Sequence, residues 1–135
     1  MTIREVSSLT EREIGFRDGE EYTRLDYYME DVITRMYTAQ HNFIMGRVPG
    51  FRKEMSDLEA IDYLKGEIKS LSSLARDTDN RAKEIRSRYP NRFPEGGDNF
   101  LKGKFDSFDE AYWEACIKVV NAEKKLKEAQ AGAQR

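Results

Sequence analysis

The amino-acid sequence predicts an all-α protein, an elongated antiparallel three-helix bundle with a short N-terminal segment. Three observations predict it. Apolar residues recur at alternating steps of three and four along three stretches, the period of a helix face that packs on other helices. Serine-to-glutamate capping motifs open the second and third stretches. All three prolines fall between the stretches. At 135 residues the chain fits one domain. Its expected parts are a helical hairpin at about 18–46 and 56–89, an ordered loop at 90–106, a third helix at about 107–130, and a frayed tail at 130–135.

The first helix has its seam in Tyr22, Leu25, Met29, Val32, Met36, Ala39 and Phe43. Asp18 is placed to cap its N-terminus, with Glu21 three positions on. Gly46, Pro49 and Gly50 supply the stop. Tyr28, Ile33, Tyr37 and Ile44 lie off the seam, so the apolar stripe is broader than one partner helix would cover.

The second helix opens with the capping box "SDLE", Ser56 to Glu59. Its seam runs Ile61, Leu64, Ile68, Leu71, Ala75, Thr78, Ala82, Ile85, Tyr89, and Pro90 ends it. Ala75, Thr78 and Ala82 bury little area but let another helix approach closely.

The third helix is expected to open at Ser107, in a second box, "SFDE". Phe108, Tyr112, Ala115, Val119, Ala122 and Leu126 form its seam. Trp113, Cys116, Ile117 and Val120 add another apolar face, the pattern of a helix at the centre of a bundle or at an oligomer interface. At the N-terminus, Thr10 and Glu13 suggest a short helix or turn folded back on the bundle, weakened by Gly15 and Gly19.

Charged residues make up 36% of the chain, against about 25% in ordinary domains. Many are acid-before-base pairs four residues apart, such as Glu20 with Arg24, Asp77 with Arg81, Asp79 with Lys83 and Glu84 with Arg88, the pattern of solvated helix faces. The net charge of −2 gives no basic excess to hold nucleic acid. No apolar run reaches the roughly 18 residues of a membrane span, and the first residues lack the apolar core of a secretory leader. A lone cysteine, Cys116, excludes an intrachain disulfide and suits a reducing cytoplasm. No phosphate-binding or dinucleotide-binding loop, nucleophile elbow or zinc-protease motif is present, so no cofactor is expected. The single histidine, His41, excludes a di-metal site built from paired Glu-x-x-His motifs.

The enzymatic alternative is a magnesium-dependent all-α nucleoside-triphosphate pyrophosphohydrolase, which would draw carboxylates from two adjacent helices. Asp26 and Glu30 on the first helix, with Glu59 and Asp62 on the second, are the available set. In an antiparallel hairpin turning near residue 51, the two pairs lie roughly 18 Å apart. Magnesium holds its oxygen ligands at about 2.1 Å, and Glu59 already has a capping role.

Two non-enzymatic readings remain. A ligand site for an anionic small molecule or nucleotide would use Arg86, Arg88, Arg92, Phe93, Phe100, Lys102 and Lys104, where bases alternate with aromatics at one end of the bundle. The same bases could instead face the acids of the N-terminal segment. The favoured reading is a protein–protein interaction or self-assembly module with Tyr28, Ile33, Tyr37, Ile44, Trp113, Ile117 and Val120 at its interface. Its partner would be another protein or a second copy of itself. The size suits an accessory or inhibitor protein that acts by binding, as in phages and mobile elements.

Overall fold

The computed structural model describes residues 16–46, 54, 56–90 and 100–133. The expected N-terminal turn at Thr10 and Glu13 lies outside them. Among the described residues, three helices make the fold: α1 (Phe16–Met45), α2 (Asp57–Ser87) and α3 (Phe100–Ala133). Each packs on both of the others, giving the all-α three-helix bundle that the seams predict.

The ends of α1 and α2 follow from local chemistry. Gly46 takes φ 66°, the left-handed conformation that closes a helix, and its N–H donates to Phe43 O at 3.2 Å. Ser56 Oγ accepts from Glu59 N–H at 3.2 Å while Glu59 Oε1 accepts from Ser56 N–H at 3.4 Å, the reciprocal box read from the sequence. The last turn of α2 closes on Arg88, whose N–H donates to Ile85 O, so Pro90 stands just beyond it. Asp18 does not cap α1. The helix begins at Phe16, and Asp18 sits inside its first turn, where a negative charge still complements the helix dipole.

The third helix corrects the sequence reading. It starts at Phe100, not at Ser107, so residues 100–106 are helical and not loop. Ser107 is not a cap: its hydroxyl donates to Gly103 O one turn back at 3.1 Å, the usual satisfaction of a mid-helix serine. At its other end the helix runs to Ala133. The earlier start adds Leu101 to the core as a fully buried side chain.

Every seam residue of α1 from Tyr22 to Ala39 is buried, with Phe43 partly so. Met29 and Met36 of α1, Leu64, Leu71 and Ile85 of α2, and Leu101 of α3 form the sealed centre. Each such burial stabilises by about 1.5–3 kcal/mol before ordering costs. Ala75 and Ala82 on α2 and Ala111 and Ala115 on α3 are fully buried, so small residues line the close approaches.

Polar contacts fix directions. Arg81 reaches Glu21 near the start of α1, and Asn42 reaches Tyr63 near its end, so α1 and α2 are antiparallel. Lys104 reaches Asp26 and Lys118 reaches Gln40, both across 78 residues, so α3 runs parallel to α1.

Candidate interaction surface

With two neighbours, α3 covers only its inner face. Trp113, Ile117 and Val120 follow at steps of four and three, which puts them on one side of the helix. That side is the outer one: they are 59%, 58% and 64% exposed, opposite the buried Ala115. The aromatic chain along α3 turns outward at the same place. Phe105, Phe108 and Tyr112 follow each other at ring separations of 6.4 Å on the inner flank, and Trp113 meets Tyr112 edge-on at 5.4 Å. Cys116 lies part-buried beside Tyr112. Its charge and hydrogen bond push the Tyr112 phenol above its ordinary value, with burial adding to the effect.

The four α1 residues expected to join this surface do not form one face. Tyr28 and Tyr37 are nine residues apart, two and a half turns, so they point in opposite directions. Tyr37 and Ile44 are exposed on the flank of α1 that also carries Gln40, which donates to Ala111 O of α3 at 3.0 Å. Tyr28 is exposed on the other flank. Ile33 is only partly exposed and packs against the core. Tyr27, Met45, Leu58 and Leu74 are also exposed, and the sequence reading passed them over. Leu58 and Leu74 carried a signal, since both stand off the α2 seam.

At the end of the bundle where α1 begins, bases meet acids of α1. Arg88 donates to Asp18 at 3.1 Å, and the Tyr89 hydroxyl donates to the same carboxylate, which pushes the Tyr89 phenol up. Arg81 bonds Glu21 with two nitrogens and Glu84 with a third contact. The guanidinium holds the Glu21 carboxyl below its usual range, and Arg81 is itself shifted up by Glu21 first and Glu84 second. Arg86 reaches the Tyr22 hydroxyl at 3.4 Å. Lys104 donates to Asp26 at 2.9 Å and to Glu30 at 3.2 Å. Of the bases expected to hold an anion, Arg88 and Lys104 thus carry carboxylates of their own chain. Lys102 is exposed on the first turn of α3, and Phe100 opens that helix. Arg92 and Phe93 lie outside the described residues.

The carboxylates of the metal alternative are divided between two environments. Asp26 and Glu30 share Lys104, while Glu59 caps α2 and Asp62 is exposed on the following turn. The antiparallel hairpin holds these pairs at different levels of the bundle. Among the described residues, no three His, Cys, Asp or Glu side chains are grouped to hold a metal ion. Asp26 is 0% exposed and its Oδ1 has no hydrogen-bond partner. Burial pushes its carboxyl above the ordinary value, against the opposing pull of Lys104.

A groove of about 440 Å³ opens where α1 ends and α2 begins, lined by Phe43, Ile44, Ile61 and Leu126, with Lys125 and Asp57 also in its lining. No helix among the described residues is long and apolar enough to cross a membrane. No protein-family model, no curated protein and no solved structure matches the chain.

Proposed function

We infer that this protein acts by binding protein, with the outer face of α3 as its contact surface. One observation carries the reading: Trp113, Ile117 and Val120, three large apolar side chains on one helix face, are each more than half exposed. Single exposed apolar residues are ordinary, but a contiguous group on a rigid helix is the usual mark of a docking face. Tryptophan is also the residue most enriched among interface anchors. The surrounding chemistry supports binding over catalysis. The charged groups near Lys104 and Arg81 are engaged in joining helices, an architectural use.

A photoreactive amino acid at position 117, irradiated in cells of the source organism, tests this. A covalent adduct at 117, and none with the same group at the exposed Ser73 on α2, is the expected outcome. Absence of any adduct at 117 would sink the reading. The mass of the adduct separates a second copy of the 15.8 kDa chain from a different protein.

A further inference from the structure

We propose that the partner of this face is a second copy of the same chain, packed antiparallel across a two-fold axis near Ile117; this rests on the binding role of α3 argued above. The face carries a charge pattern that fits itself. Asp106 and Asp109 precede the apolar trio, and Lys124 and Lys127 follow it. All are exposed, and steps of three and four keep them on the side of α3 that holds Trp113, Ile117 and Val120. Glu110 and Glu128 share this side, so the end before the trio carries three acids and the end after it two lysines and one acid.

Turning one copy over about Ile117 brings the mainly acidic end of each copy opposite the lysines of the other, with Glu110 also near Lys124 and Glu128 the one acid left near Asp106. Ile117 meets Ile117 of the second copy, and Trp113 meets its Val120. Asp109 meets Lys124, and Asp106 meets Lys127. Lys102, next on this face, comes opposite the uncharged Ala131. A parallel pairing would instead set acids on acids and lysines on lysines, a repulsive arrangement. Charge thus selects the orientation while the apolar centre supplies adhesion. An isologous contact of this kind closes at two copies, because the same patch is used on both sides. A two-helix contact of this length lies at the small end of specific interfaces, so a reversible dimer is expected.

Charge swaps measured by sedimentation equilibrium test this. The wild type should approach twice 15.8 kDa as concentration rises from roughly 1 to 300 µM, the range of weak specific contacts. Lys124→Glu with Lys127→Glu makes the strip acidic at both ends and should weaken the dimer about tenfold or more, through lost pairs and new repulsion. Asp106→Lys with Asp109→Lys should do the same with the opposite sign. All four changes in one chain should restore dimerisation, and the two double variants, mixed, should pair with each other. High salt should narrow these differences, since the charges are exposed. All four positions are exposed, so helicity by circular dichroism should hold throughout. A wild type that stays monomeric overturns the proposal, as does a dimer indifferent to either double variant or a four-site swap that fails to restore it. An adduct at position 117 with a different protein, beside a monomeric wild type, would leave the binding role standing and end this one.

Discussion

Asp26 and Lys104 form an ion pair inside the bundle. Asp26 is fully buried on α1, and Lys104 of α3, mostly covered, is its charge partner, shared with the exposed Glu30. On α2, Asp79 is the buried acid at about this level, and it is paired with Lys83. Removing one member of a buried pair leaves the other uncompensated, so Lys104→Met should cost about 3 kcal/mol at pH 7. The loss should shrink in acid. Burial raises the Asp26 carboxyl above its ordinary 3.8, so the folded state holds that proton more tightly than the unfolded chain. The resulting stabilisation is full below the ordinary value and fades as pH rises through the folded one. Without Lys104 the preference for the proton grows, and protonation removes the stranded charge. Glu21 behaves oppositely: Arg81 lowers its carboxyl, so its contribution is lost as pH falls through the folded value. Glu21 is present in both proteins and cancels in the comparison. Denaturant melts of wild type and Lys104→Met at pH 7 and pH 4 check this; a difference independent of pH would refute it. The sequence could not reveal the pair. Lys104 stood in a stretch read as loop, and a contact across 78 residues leaves no local pattern.

At the scale of elements, two serines in similar motifs behave differently, and their substitution separates a cap from a coincidence. Ser56 satisfies a free N–H at the start of α2, so Ser56→Ala should destabilise by about 1 kcal/mol. Ser107 sits a turn and more inside α3, with its hydroxyl turned back to Gly103 O, so Ser107→Ala should change stability by less than about 0.5 kcal/mol. Comparable losses at the two sites would restore Ser107 as a helix start. Leu101→Ala, in the turn the sequence reading omitted, should cost about 2–5 kcal/mol, because that side chain is sealed in the core. Urea denaturation measures all three. The hairpin was legible because cap, seam and stop agreed at Ser56, at Gly46 and from Ile61 to Ile85. The early turn of α3 was not, because "SFDE" imitates a cap wherever it occurs. One signal favoured the longer helix: Leu101, Phe108, Ala115 and Ala122 recur every seven residues, continuing the seam back past Ser107.

For the whole molecule, three helices in mutual contact leave each with an uncovered back, and the chain distributes apolar residues unevenly over those backs. The excess was legible as a broad apolar pattern on α1 and α3. How it divides was not, because the direction of each side chain depends on where the neighbouring helices lie. Tyr28 and Tyr37 illustrate this, since half a turn sends them to opposite flanks of α1. Among the described residues, α3 gathers its excess into one strip, with a mainly acidic end and a mainly basic end. If that strip joins two copies, folding and assembly are linked, because the unfolded chain lacks the surface. The melting temperature should then rise with protein concentration, each tenfold increase above the dissociation constant adding about 1.4 kcal/mol per dimer. Ile117→Lys places two like charges at the two-fold axis while disturbing little within one copy, since Ile117 is more than half exposed. That variant should keep its helicity and melt at one temperature whatever its concentration. A wild type whose melting point ignores concentration, or an Ile117→Lys variant that retains the dependence, would place the contact elsewhere. Loss of helicity in the variant would instead show that Ile117 supports the bundle from within.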